Sequence, residues 1–157
     1  MFHVALVAPE IPPNTGNVIR LCANTGTNLH LIEPLGFDLS AARLRRAGLD
    51  YSEMVNVQVH RDWASFRAAL GDTRLFALTT RATRPHSGPR APRYRPGDTF
   101  VFGAESSGLP AAVLLEIDAT HRLRLPMVPG NRSLNLSNAV AVMVFEAWRR
   151  NGFAGGR

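Results

Sequence analysis

Asn17, Arg20 and Asn24 follow one another at three- and four-residue spacing, just after the pair Pro12-Pro13. On a helix that spacing puts them on one ridge. Two amides and a guanidinium beside a helix N-terminus suit a phosphate or a hydroxyl. A solvated helix face with a capping Asn would have the same composition, so the spacing leaves both readings open. Val18, Leu21, Cys22 and Thr25 form the neighbouring stripe at i, i+3, i+4 and i+7, which belongs against a core.

Two more segments are rich in groups that can meet a ligand. Phe102-Gly103-Ala104-Glu105-Ser106-Ser107-Gly108-Leu109 follows an apolar run and carries two glycines and one acid. Glycine there allows either a close approach of ligand to backbone or a tight strand-to-helix turn. Leu125-Pro126-Met127-Val128-Pro129-Gly130-Asn131-Arg132-Ser133-Leu134-Asn135-Leu136-Ser137-Asn138 is a proline-stiffened turn leading into polar residues. Ser133, Asn135, Ser137 and Asn138 are more polar groups than helix capping needs. No G-x-G-x-x-G opens a helix after the first strand, and no P-loop is present.

The elements that must position these segments alternate. Apolar runs at 2–8, 29–33, 55–60, 75–79, 99–103 and 121–125 read as strands. Helical patterns occupy 14–24, stopped by Gly26, then 40–47, 62–70, 110–117 and 136–151. This alternation predicts an α/β fold, a mostly parallel sheet with helices on both faces, in one domain over 1–157. Ligands in such sheets gather at the carboxyl ends of the strands, where all three segments fall. The last helix is apolar nearly all round, so it must be buried on most sides, and a partner subunit is one way to cover a side. The stretch 81–97 breaks the rhythm with five arginines, four prolines and no acid. It reads as a loop, either a solvated connection or a surface facing RNA.

All eighteen basic residues are arginine and the formal net charge is +6. A GC-rich coding bias produces such a composition, and a polyanion partner benefits from it. The single cysteine, Cys22, excludes an intrachain disulfide and a cysteine zinc cluster, and its place in the apolar stripe makes it a core residue. The first residues lack a basic segment followed by an apolar one, and no apolar run is long enough for a membrane helix. A soluble, cytoplasmic protein without a metal and without a membrane partner is expected.

Five segments, taken in order, resemble the SPOUT superfamily of knotted methyltransferases, and within it the tRNA 2′-O-methyltransferase branch known as the TrmL or YibK family. They are Pro9-Glu10-Ile11-Pro12-Pro13-Asn14-Thr15-Gly16-Asn17 with Arg20-Leu21-Cys22-Ala23-Asn24; Arg43-Leu44-Arg45-Arg46-Ala47-Gly48-Leu49-Asp50-Tyr51; Phe76-Ala77-Leu78-Thr79-Thr80; Phe102-Gly103 with Glu105 and Gly108-Leu109-Pro110; and Pro126-Met127-Val128-Pro129 with Arg132-Ser133 and Asn135-Leu136-Ser137-Asn138.

The resemblance implies a C-terminal trefoil knot and a homodimer joined through the first and last helices. It implies S-adenosylmethionine as cofactor, contacted by Leu78, Gly103, Leu125 and Ser133 with Met127 and Leu134 close by. The implied substrate is the ribose 2′-hydroxyl of the wobble nucleotide, C or U at position 34, in the anticodon loop of leucine tRNAs. Arg20 is then the general base or, as a cation, the group that stabilises the developing alkoxide. Asn14 and Asn17 orient the loop or the ribose, and Glu105 one end of the site. Arg43, Arg45, Arg46 and Arg149 are candidates for tRNA phosphates. Relatives often carry Tyr where this chain has Phe145.

Two other readings remain at this point. A ribosomal-RNA methyltransferase of the same fold would usually carry an added N-terminal RNA-binding domain, whereas this chain starts at its first strand. A non-catalytic RNA-binding protein of the same fold could dispense with Arg20, Gly103 and Gly108, all present here.

Overall fold

Alternation along the strands decides which side chains face which helices. In the computed structural model, which describes residues 1–39, 54 and 56–157, β1 (His3–Val7) sends Val4 and Leu6 to one face and Ala5 and Val7 to the other. β6 (Thr99–Phe102) repeats the division, with Phe100 and Phe102 on the first face and Val101 on the second. Strands apolar on both sides belong at the centre of a sheet covered on both sides.

β2 (Asn28–Ile32), β3 (Val57–His60), β4 (Leu75–Leu78), β5 (Arg84–Pro85) and β7 (Arg122–Arg124) complete seven strands among the described residues. Their order is β3-β2-β1-β6-β4-β7-β5 and every pairing is parallel. Helices α1 (Pro12–Thr25) and α4 (Leu136–Arg150) cover one face through Val18, Ile19, Cys22, Val140, Met143 and Val144. Helices α2 (Trp63–Leu70) and α3 (Ala111–Leu115) cover the other through Phe66 and Val113. The α/β fold expected from the alternation is therefore present. Cys22 is a core residue as expected, and burial pushes its thiol up to about 12.

Two details depart from the sequence reading. Helix α1 begins at Pro12 rather than at Asn14 or Thr15. Its two prolines occupy the first helical positions, where a missing N–H costs nothing because that N–H has no intrahelical partner. The 81–97 stretch is not a plain loop, because Arg84 and Pro85 form β5, paired with Leu123 and Arg124. It is also held by carbonyl acceptors. The Tyr94 hydroxyl donates to His86 O (2.6 Å), and Arg150 donates to Pro92 O (3.0 Å) and Gly88 O (2.9 Å). The helix expected at 40–47 lies outside the described residues, and so do Arg43, Arg45 and Arg46. Among the described residues no helix is long and apolar enough to cross a membrane.

A row of three imidazoles runs across β1, β2 and β3. His3 Nδ1 lies 3.0 Å from His30 Nε2, and His30 Nδ1 lies 3.0 Å from His60 Nε2. Phe66 of α2 packs edge-on against His30 and His60. Burial, then repulsion from His3 and His60, lowers His30 from its ordinary 6.5 to about 4. His3, His60, His86 and His121 are lowered too, each chiefly by burial. The unfolded chain thus binds more protons than the folded one below about pH 6.5, and stability falls with pH toward about 4. Denaturant midpoints measured from pH 7 down to pH 4.5 should fall through this window. A midpoint constant to pH 5 would contradict the neutral imidazole row.

Candidate active site

The carboxyl ends of β1, β4, β6 and β7 open onto one cavity of about 720 Å3. Such a volume suits a cofactor-sized ligand. Its walls come from the three segments singled out above and from Thr79, Thr80 and Arg81, the residues just beyond β4.

A carboxylate holds these segments together. Glu105 Oε2 accepts from the Glu10 backbone N–H (2.8 Å), and Oε1 accepts from the Ile11 N–H (3.2 Å) and Asn14 Nδ2 (2.9 Å). Asn14 Oδ1 in turn accepts from Asn135 Nδ2 (2.8 Å). The other end of the Asn135 amide caps α4, its Oδ1 accepting from Ser137 N–H (2.9 Å) and Ser137 Oγ (2.7 Å). One line of hydrogen bonds thus joins the loop after β6, the start of α1 and the start of α4. Burial tends to raise Glu105, but the donors from Asn14, Glu10, its own backbone and Ile11 outweigh it and hold the carboxyl below its ordinary value. A second carboxylate returns the contact: Glu10 accepts from Ser106 N–H (3.0 Å) and Ser106 Oγ (2.7 Å).

The backbone is constrained at the same place. A Cβ at Gly103 would lie 2.0 Å from the Gly108 carbonyl carbon and 2.2 Å from Leu109 N. The glycine is therefore required by the tight turn of 103–109, closed by an antiparallel bridge from Ala104 to Gly108. Of the two readings the sequence left open at Gly103, the turn is the one the packing demands. Ala8, just beyond β1, has φ 51, a left-handed conformation rare for a residue with a Cβ. It sends the chain off the sheet towards Glu10.

The expected cofactor residues come together. Leu78, Gly103, Glu105, Leu125, Met127, Ser133 and Leu134 all line the cavity, and so does Asn14. Arg20 and Asn17 do not; both are exposed on α1, and Arg20 has an interaction partner. Arg149 sits on α4, paired with Glu146 (2.9 Å). Sequence reasoning missed Thr79, Thr80, Arg81 and Arg132 as wall residues. The strand-end rule could have supplied the first three, since they follow β4 directly. It also missed the exchange between Glu10 and Ser106, which only the fold brings together.

The cavity's chemistry is mixed. Leu78, Leu125 and Met127 offer apolar surface for a flat ring, Thr79, Thr80 and Ser133 offer hydroxyls, and Glu105 is the one acid in the wall. An adenosine carrying a cationic side chain fits such a donor set.

A parallel α/β sheet with a ligand cavity at its strand ends defines the broad class, and comparison with known proteins narrows it. The model of the SpoU rRNA methylase family matches residues 1–145. A curated relative from Burkholderia ambifaria, a tRNA (cytidine(34)-2′-O)-methyltransferase, is 64% identical, covering 99% of each chain. The protein of the same name from Escherichia coli K12 is 55% identical over 99% of this chain and 97% of its own. A solved structure concerned with the 2-OH methylation of C/U34 on tRNA superimposes with a TM-score of 0.86 at 44% identity, covering 98% of this chain and 97% of that one. The chain belongs to the SpoU methylase family, and its fold is that of the SPOUT methyltransferases.

Gly103→Ala should be costly because backbone, not a flexible side chain, fills the space of its Cβ. Overpacking of this kind costs about 1–3 kcal/mol. Urea unfolding should register that loss, and ligand affinity should fall with it. Unchanged stability would mean that the 103–109 turn relaxes easily.

Proposed function

We propose that this chain is an S-adenosylmethionine-dependent methyltransferase acting on the ribose 2′-hydroxyl of the wobble nucleotide, C or U at position 34, of tRNA, with leucine isoacceptors as the substrates. The observation that carries the proposal is the single cavity formed by the three segments expected to hold the cofactor, with Asn14 of α1 in its wall. The relatives' activity, together with identity running over nearly their whole length, supports the same reading.

When bound, S-adenosylmethionine supplies a methyl group already activated on a sulfonium. Leu78, Gly103, Leu125 and Ser133 would hold it, with Met127 and Leu134 beside them. The chain must place the ribose oxygen in line and ease the loss of its proton. Positioning of this kind can contribute about 7–11 kcal/mol. Asn14 and Asn17 orient the start of α1 and the ribose. Glu105 accepts three hydrogen bonds, from Glu10, Ile11 and Asn14, so it acts by fixing the walls rather than as a proton acceptor. Arg20 works on the ribose side, where a guanidinium stabilises a developing alkoxide and grips the neighbouring phosphate.

The C-terminal trefoil knot belongs to this proposal. β7 lies between β4 and β5, and Asn151 donates to Tyr94 O (3.2 Å) while Arg150 reaches Gly88 and Pro92. That arrangement supports a last helix threaded against the 79–98 segment. A homodimer through α1 and α4 is the matching assembly, supported by Val142 and Phe145, which are 43% and 46% exposed on α4. Arg43, Arg45, Arg46 and Arg149 remain candidates for phosphate contacts in the anticodon stem and loop.

The test is methyl transfer from labelled S-adenosylmethionine to bulk tRNA, followed by nuclease digestion and mass mapping. A 2′-O-methylated C or U at the wobble position is expected. Methylation found only on ribosomal RNA would overturn the substrate assignment. Arg20→Lys keeps the charge and loses the planar fork, so turnover should fall at least a hundredfold, about 2.7 kcal/mol, with cofactor affinity unchanged. Near-normal turnover would remove Arg20 from the mechanism.

A further inference from the structure

Between Thr73 and Gly97 the chain carries six arginines and no acid. Several of the nearby guanidiniums are consumed by the fold. Arg74 grips Asp98 (2.7 Å) and Arg93 O, Arg122 donates to Leu114 O and Ile117 O, and Arg150 binds Glu146 and two carbonyls. Among the described residues Arg81, Arg93 and Arg95 have no such partner, and neither do Arg90 and Arg124. Arg90 and Arg124 are both exposed, and among the described residues neither guanidinium meets a carboxylate or a carbonyl.

These two arginines border a second cavity of about 270 Å3, with Thr83, Pro85, Pro126 and Met127 as its other walls. Met127 also lines the large cavity, so the two spaces share a wall. The support beneath Arg90 is rigid. Arg84 Nε donates to Arg90 O (3.0 Å) and Arg84 Nη1 to Thr120 O (2.5 Å), while Arg150 holds the carbonyls of Gly88 and Pro92 on either side. Arg124 stands on β7, whose neighbour Pro85 is in register with it. The backbone carrying each of the two cations is thus held by hydrogen bonds, both residues border an open space, and neither guanidinium has an internal partner among the described residues. Pro85, Pro126 and Met127 give that space apolar walls, and a hydrogen bond from a guanidinium to a phosphate oxygen is charge-assisted.

We propose that the second cavity binds a phosphodiester of the RNA strand flanking the nucleotide held in the large cavity, with Arg90 and Arg124 as its two cations and the Thr83 hydroxyl as a further donor. This inference rests on the reading above that the substrate is RNA. Guanidinium forks match phosphate oxygens. The shared Met127 wall puts the subsite beside the methyl donor, so the same strand can occupy both spaces. Of the 81–97 stretch, one cation, Arg90, takes part, working with Arg124 of the sheet.

The experiment compares two double variants of the full chain with the same change in charge. Arg90→Ala/Arg124→Ala empties the cavity of cations. Arg93→Ala/Arg95→Ala removes two exposed arginines of the same stretch that do not line it. Affinity for a fluorescently labelled leucine-tRNA anticodon stem–loop is measured by anisotropy across a salt series. The cavity pair should bind at least about tenfold more weakly, and the slope of log affinity against log salt should shrink by about 0.7, the value for one lost phosphate contact on a single strand. The reference pair should lose less than half of either. S-adenosylmethionine affinity and thermal midpoint of the cavity pair should match those of the unsubstituted chain, and Arg90→Lys/Arg124→Lys should recover the salt slope. Equal losses in the two double variants, or none in either, would overturn the subsite. Absence of tRNA methylation by the unsubstituted chain would instead count against the activity proposed above, and the anisotropy comparison would still decide the subsite.

Discussion

Three segments far apart in sequence form one cavity because a single carboxylate ties them. Glu105 gathers two backbone N–H groups and the Asn14 amide from the start of α1, and Asn14 passes the connection to Asn135 at the start of α4. Hydrogen bonds to a charged acceptor are stronger than those between neutral groups, and here several act on one carboxylate. The line therefore favours one arrangement of the walls over looser ones. It also divides the labour at the site. The anion in the wall is held by the protein and organises it, while Arg20 stands apart from the cavity on the exposed side of α1.

The fold makes that line possible by ending β1, β4, β6 and β7 on the same side. All the pairings are parallel, so the loops after these strands emerge together. Two backbone constraints sharpen the exits. Ala8 turns in the left-handed region after β1, and Gly103 lies against Gly108 and Leu109 after β6. Strain and close approach of this kind persist where the surroundings enforce them. Here the surroundings are the reciprocal contacts of Glu10 with Ser106 and of Glu105 with Glu10 and Ile11.

Much of this was legible in the chain itself, for physical reasons that differ from part to part. Apolar runs such as Phe100-Val101-Phe102 are long enough to mark strands buried on both faces, and Gly26 with φ 65 stops α1 as expected. The cofactor residues inferred from resemblance gather in one cavity because motif residues cluster at strand ends. Other features depend on tertiary contacts that have no local signature. β5 is two residues long and exists because β7 offers it an edge. The hydrogen bonds from Asn135 to Asn14 and from Ser106 to Glu10 span 121 and 96 residues. Gly103 showed the limit of reading one residue type, since the same glycine suited a ligand or a turn until its neighbours were in place.

Glu105→Gln tests the organising role of the carboxylate most directly, because it removes the charge and keeps the shape. The measurement is S-adenosylmethionine affinity by calorimetry together with amide hydrogen exchange at Glu10 and Ile11. Affinity should fall at least about tenfold, or 1.4 kcal/mol, and exchange at both amides should quicken even without cofactor. Unchanged exchange with unchanged affinity would contradict the account, and would mean that the cavity keeps its shape without the carboxylate that joins its walls.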